Sequence, residues 1–589
     1  MSTGIPNKRK VIKLKKEIIT KTMLTGKLSD LESKFLLYLE EKPLNIQCAS
    51  LDEGSLYTVF ISISDGLSRA HVCHSSSNTF DSAWKKVCNK AQEMIEKFEI
   101  TPAWVKADLV THVQKIPFSS MASVFLSAKF GKFFRMGFAV DNKMEYAFLE
   151  AEANSYKIYD YTLIPLKASK PGHDKVPCIN VPQMIHYLQW NNQPVMDSLS
   201  KDIWVFNCES FFCDENKNTY RLYDSGIHCG RRILDEVDDQ VSVDVITTAT
   251  NHLIRQIKTN GSFIYGYYPS FNSVMNSYNI LRHVGTLWSM MCAYDVTKDE
   301  NIKPVVMKAL DFVETQIQYK DMNTAFLVEA KSKEIKLGGL GVSIIALSKY
   351  METYGDRDYT ELIRKLAEGI LYLQNPETGK LTHVLSSIDY SVVEEMRTVY
   401  YDGESSYALV KAYEITGDEK YLSAAGLSIN YFIEENYIKY RDHWLAYALN
   451  EYTKFVPEER YYTFALKNFW ENRKKINDQE TSYHTYLELL METYELYLRI
   501  KEEKIDVPYM KKVDEDEFIK IIKHRAWHML DGYFYPEYAM YMSKPYTILG
   551  SFFVRHDGFR TRIDDDQHFI DGYAKYWKLI TPAGKNIGK

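Results

Sequence analysis

Residues 396–435 read MRTVYYDGESSYALVKAYEITGDEKYLSAAGLSINYFIEE, and the pattern of this stretch decides the fold. From about Gly403 to Thr416 small and aromatic residues fall on nearly every side of a helical wheel, which predicts a helix buried all round. Gly417-Asp418 ends it, and 420–434 predicts a second, amphipathic helix. Asp402 and Glu404 fall where the buried helix begins, so its tip is polar.

The same unit recurs downstream of about residue 240. Amphipathic, outer-type helices are predicted at 241–258, 303–318, 359–374, 420–434, 459–474 and 515–530. Helices apolar all round, of inner type, are predicted at 282–294, 338–350, 403–416, 443–455, 482–498 and 567–579. Helical hairpins repeating at a period of about 40–65 residues mean a solenoid or a toroid. Inner helices without a polar side favour the closed form, an all-α (α/α)6 toroid over 241–589, because an open superhelix would show an amphipathic concave face. The glycine-containing segments 261–263, 378–381 and 532–534 each join an outer helix to the next inner one, which puts them at the mouth.

Upstream the pattern changes, so the chain is read as multidomain. Residues 1–29 form a basic N-terminal arm, with Lys8, Arg9, Lys10, Lys13, Lys15 and Lys16, expected to be solvated. Residues 30–160 predict a small α/β domain with an antiparallel sheet. Its strands are expected at 56–64, 133–138 and 145–150, and its helix at 81–98 with Asp81 as N-cap. Residues 161–240 are expected to be a β-containing linker region, with strands at 203–212 and 219–224.

The formal net charge of −6 speaks against a nucleic-acid partner. No apolar run approaches the roughly 18 residues of a membrane span, and no secretory signal is visible. Eight cysteines in 589 residues are too sparse for a disulfide framework, so a cytoplasmic protein is expected. Neither GxxxxGK[ST] nor GxGxxG occurs, which leaves a nucleotide cofactor without support. Cys208, Cys213, His228 and Cys229 lie close together but form no CxxC pair, so no metal is expected there. Oligomeric state is not legible in the sequence.

Polar residues gather at the starts of the inner helices: Tyr278, Arg282 and His283 on the first; Arg397, Asp402 and Glu404 on the third. The fourth has Arg441, Asp442, His443 and Trp444, and the fifth Glu480, Tyr483 and His484. The sixth has Arg555, Arg560, Arg562, Asp564, Asp565, Asp566 and His568. An aspartate at a helix start is often only a cap, and a lone histidine is more often a satisfied structural residue. Capping requires neither histidine nor arginine, however, and five of the six ends carry such groups, which predicts one shared pocket.

The hairpin YDGESSYAL–TGDEKYL at 401–422 resembles, with its repeats over about 241–580, the six-hairpin toroid superfamily. That group includes (α/α)6-barrel glycoside hydrolases, unsaturated glucuronyl hydrolases and N-acylglucosamine 2-epimerases. The resemblance is architectural and implies carbohydrate chemistry. Glycoside hydrolysis needs two carboxylates about 5–9.5 Å apart. Glu404 and Asp566, on opposite helices of a six-pair ring, are expected to supply them, with His443 and His484 assisting. Arg282 and Arg562 would bind charge on an acidic saccharide, and Tyr278, Asp402, Trp444, Asp565 and His568 would complete the substrate site. The alternative is a sugar epimerase or isomerase using histidines as acid and base, with His283 and His443 opposite each other. A third reading is a non-catalytic glycan-binding or scaffold barrel.

Overall fold

The computed structural model describes residues 8–42, 57–127, 134–165, 173–196 and 200–587. Residues 1–7 of the expected basic arm, and the first residue of each of the expected strands 56–64 and 133–138, lie outside this description. Helix α1, Lys8–Glu41, takes up the rest of the arm. The physical reason is downstream of the charge run: Leu24, Leu28, Leu31 and Phe35 recur at helical spacing and are buried.

They pack on one face of an antiparallel sheet, together with α2, Phe80–Lys97. The cap of α2 is Thr79, whose side chain accepts the Ser82 N–H; Asp81, expected as the cap, sits in the first turn instead. The sheet contains β1 (Tyr57–Ser64), β2 (His71–Ser77), β3 (Trp104–Pro117), β4 (Gly137–Ala139), β5 (Ala147–Phe148), β6 (Asp202–Cys213) and β7 (Thr219–Leu222). The order is β2-β1-β3-β6-β4-β5, with β7 added to β6. β6, from the stretch expected as a linker, therefore lies between β3 and β4; its near-continuous apolar run suits a strand covered on both faces.

From residue 239 the chain is built of helical hairpins, but it is not all-α as expected: the connections add strands, among them a five-stranded antiparallel sheet of Ile317–Tyr319, Ala325–Glu329, Glu334–Lys336, Val384–Ser386 and Val392–Glu394. The outer helices are α3 (Asp239–Gln256), α5 (Ile302–Glu314), α7 (Thr360–Leu373), α9 (Glu419–Glu434), α11 (Glu459–Trp470) and α13 (Glu515–Met529). The inner ones are α4 (Ile280–Thr297), α6 (Leu337–Thr353), α8 (Tyr400–Thr416), α10 (His443–Tyr452), α12 (Thr485–Glu502) and α14 (Ile563–Ile580). Each inner helix packs on the next, and α14 packs back on α4, which closes a ring of six.

Local sequence explains the boundaries. Asp238, Asn279, Asp418, Asp442 and Asp514 cap α3, α4, α9, α10 and α13 with their side chains. α8 ends at Gly417, whose φ of 69° is the left-handed conformation that a side chain would strain. α7 buries only the stripe Ile363, Leu366, Ala367, Gly369, Ile370 and Leu373, whereas α6 is buried at every position from Leu337 to Ser348.

Tight bridges, Ile257 to Phe263 and Gln374 to Leu381, repeat after two outer helices. The sheet region sits on the mouth side of the ring. Met540 and Tyr541, from the long connection between α13 and α14, enter the sheet's second apolar face beside Phe60, Trp104 and Phe206. Arg69 donates to the carbonyls of Ser270 and Tyr541, and Arg135 to the Tyr538 hydroxyl, all on toroid connections.

Candidate functional site

A helix advances about 100° per residue, so a run of polar residues at an inner helix start fans out in different directions. Asp564, His568, Asp571 and Lys575 on α14 lie within about 60° of one another, on the side that faces the central bore. Asp566 points the opposite way. Its Oδ1 accepts the Phe552 N–H at 2.7 Å, and its Oδ2 lies 3.5 Å from His252 Nε2 on the outer helix α3. Asp566 is therefore turned away from Glu404, and the expected carboxylate pair is not brought together. Asp565, between the two directions, sits 3.4 Å from Arg562 and 3.8 Å from Arg560, and burial pushes it up to about 6.

The same rotation separates other expected site residues. His283 follows Arg282 and faces outward: Nδ1 lies 2.7 Å from the Tyr278 hydroxyl and Nε2 3.1 Å from the Ala309 carbonyl on α5. Tyr278 in turn accepts the Phe263 N–H. Both belong to the seam between inner and outer helices, and His283 does not oppose His443 across the bore. Asp402 lies 200° round the helix from Glu404. Its oxygens are held by His383 Nε2 at 3.1 Å and by the Tyr437 hydroxyl at 3.0 Å. His383 escaped the sequence reading because it lies in a connection, with no periodicity to place it.

What converges in the bore is a different set. Arg282 on α4 lies 3.7 Å from Asp564 on α14 and is the principal charge acting on Glu404 of α8. Arg562, at the rim, reaches Asp564 at 2.8 Å. Glu404 is 1% exposed, and among the described residues neither carboxyl oxygen has a hydrogen-bond partner. Burial pushes its carboxyl up to about 8, with Arg282 opposing and Asp402 adding to the shift. The glycines of α6 make room for it. A Cβ on Gly338 would meet Glu404 Oε2 at 1.9 Å, and one on Gly341 would meet the Glu404 backbone at 2.9 Å.

Opposite lies a histidine group. His443 of α10 and His568 of α14 have ring centroids 5.1 Å apart, and His484, at the start of α12, stacks on His568 at 4.8 Å. Burial depresses the pKa of all three, His484 to about 4. Glu488, one turn below His484, contacts His568 Nδ1 at 2.9 Å. Its position inside the helix hid it from a reading confined to helix starts; the signal is the i, i+4 spacing from His484.

Trp444, expected as a substrate platform, is 1% exposed. It packs on Trp288 at 5.3 Å and Tyr447 at 5.2 Å in an aromatic plug across the bore. Beyond the plug a second cavity, of about 410 Å³, opens at the other ends of the inner helices beside Asp571 and Lys575. On the mouth side a cavity of about 490 Å³ is lined by Tyr483, His484, Arg555, His556 and Arg560. Arg555 Nη2 is buried there with no hydrogen-bond partner among the described residues, while Nη1 lies 3.6 Å from Glu150.

Of the soft ligands singled out in the N-terminal region, His228 has its Nδ1 2.6 Å from Asp531. No helix among the described residues is long and apolar enough to cross a membrane.

No protein-family model matches the sequence, and no curated protein matches it. Among solved structures the chain is similar to D-mannose isomerase, at 12% identity and a TM-score of 0.44 over 58% of this chain and 97% of that one. It is similar to cellobiose 2-epimerase from Bacillus thermoamylovorans B4167, at 14% identity and 0.40 over 50% and 88%. It is also similar to an unsaturated glucuronyl hydrolase specific for heparin, at 12% identity and 0.42 over 57% and 97%. These toroids assign no single family, and at such identities neither reaction nor substrate follows from them.

Proposed function

We propose that the mouth and bore of the toroid are the active site of a carbohydrate-active enzyme acting on an acidic saccharide, by glycoside hydrolysis. The observation that carries the reading is Glu404: a carboxyl buried without a partner, in a recess that glycines keep open, beside an arginine. An unsatisfied buried polar group of this kind costs about 1–3 kcal/mol, so its retention points to use rather than stability. Held protonated at neutral pH, Glu404 has the state that a general acid needs to protonate a leaving glycosidic oxygen. Asp564, ion-paired with Arg282 and Arg562, replaces Asp566 as the second carboxylate. Arg555, Arg560 and Arg562 around the mouth supply the bidentate donors that a uronate or phosphate would engage.

A panel of neutral and acidic saccharides tests the reading by thermal unfolding. Binding at about 100 times the dissociation constant stabilises by about 2.7 kcal/mol. Stabilisation by acidic sugars with cleavage, lost in Glu404→Gln, supports it; stabilisation by neutral sugars alone overturns the substrate class.

Epimerisation is the second reading, and the convergence of His443, His484 and His568 favours it. Solvent deuterium entering an uncleaved sugar at carbon would establish it against hydrolysis. Binding without either chemistry would leave a glycan-binding barrel.

A further inference from the structure

Below the mouth, three buried side chains from three inner helices point at one spot. His443, Glu488 and His568 each offer a ligand atom, and these atoms lie within 4.8 Å of one another. His568 Nδ1 is 2.9 Å and His443 Nε2 3.9 Å from the same oxygen, Glu488 Oε2. Ligand atoms about 2.0–2.2 Å from a tetrahedral metal stand about 3.4 Å apart, and the two distances bracket that value.

A second observation is independent of the clustering. His443 is 1% exposed, and both its ring nitrogens lack a hydrogen-bond partner among the described residues. One of them, Nε2, faces the spot. Behind the other, Nδ1, the Asp442 carboxylate stands at 3.5 Å, held by the N–H groups of Trp444 and Leu445 that it caps. A carboxylate bonded behind a ligating histidine is the usual outer-shell arrangement; Asp442 stands near that position but makes no hydrogen bond to Nδ1. The other oxygen of Glu488 accepts from the Tyr447 hydroxyl at 3.4 Å, so the acid too is oriented from behind.

We infer that the bore binds a divalent transition-metal ion of the zinc type through His443 Nε2, Glu488 Oε2 and His568 Nδ1. Two imidazoles and one carboxylate suit zinc and its neighbours rather than calcium or magnesium, which require oxygen-rich shells. Three protein ligands leave a fourth position open, as in sites where a metal meets water or substrate. The inference goes beyond the proposed hydrolysis and does not depend on it; with His443 and His568 holding a metal, only His484 of the three histidines would remain for proton transfer in an epimerase.

The full chain is the material for the test, and metal content is the first readout. Elemental analysis should find a stoichiometric zinc-type ion, removed by a chelator. Zinc added to the stripped protein should raise the Tm, and cobalt(II) should give tetrahedral d–d absorption. His443→Ala, His568→Ala and Glu488→Gln should each abolish retention and the cobalt spectrum, whereas Glu404→Gln and Asp402→Asn should keep both. Because a ligand variant could fail to fold, the stripped wild-type chain is decisive by itself. No Tm response to zinc and no cobalt spectrum would overturn the site, as would metal retained undiminished in folded His568→Ala.

Discussion

The inner helices carry polar groups on two faces, and the faces differ in how those groups are satisfied. On the outward faces His283 holds Tyr278 and a carbonyl of α5, and Asp402 holds His383 and Tyr437. Towards the bore, Glu404 and His443 have no hydrogen-bond partner among the described residues and Asp564 Oδ1 has none, although His568 and Glu488 bond each other; outward, Asp566 Oδ2 is the exception. Burial is equally deep on both. Buried polar groups are ordinarily hydrogen-bonded, and exceptions call for an explanation. The outward set ties inner helices to their surroundings; Glu404 and His443 in the bore make no such bond.

The sharpest way to break that contrast uses two residues two positions apart on α8. Glu404→Gln should lower kcat/KM by about 10²–10⁴-fold, the usual weight of a general acid, with the fold kept. Asp402→Asn should instead cost about 1–3 kcal/mol in denaturant unfolding and leave the folded fraction active. The reverse outcome would exchange the roles of the two faces.

Two adjacent glycines sharpen it further. Gly338→Ala drives a methyl into the Glu404 carboxyl, whereas at Gly339 the nearest atom is the tip of Leu327 at 3.3 Å. Turnover should fall at least about tenfold in the first and stay near wild type in the second.

The third test is pH. Glu404 is raised to about 8 from an unfolded value of about 4.3. The folded state keeps a proton that the unfolded chain releases, so this group costs nothing below about pH 4 and increasingly destabilises as pH rises towards 8. Between about pH 5 and 9 the wild type should lose on the order of 4 kcal/mol relative to Glu404→Gln, read from paired unfolding curves. A parallel pair of curves would show that Glu404 is solvated and ionised.

His283→Ala should cost about 1–3 kcal/mol of stability with kcat/KM unchanged; a catalytic loss in folded protein would restore the histidine pair expected from the sequence. The smallest effect is expected at the rim. Arg562, 23% exposed, should on change to Gln raise KM for an acidic substrate by about tenfold with kcat kept.

Much of the ring was legible because its signal is one-dimensional. Residues 338–350 and 359–374 announce an inner and an outer helix by composition, and the structure places α6 and α7 there within a few residues. Glu404, Arg282, His443, His484 and His568 were found as helix-start residues and do face the bore. His283, Tyr278, Asp402 and Asp566 were found by the same criterion and do not, because proximity in sequence says nothing of rotation about the axis. Glu488 and His383 were missed, one a turn too deep and the other in a loop.

By itself, then, the sequence determined an alternation of twelve helices, six of them apolar on every side, and an antiparallel strand region before them. Hydrophobic periodicity carries that information because burial acts on each segment separately. Only tertiary structure decided which polar residue of each pair entered the bore, that β6 joins the middle of the sheet, and that His443, Glu488 and His568 meet. Those outcomes depend on the rotation and order of helices and strands relative to one another, which packing sets across hundreds of residues and no local pattern records.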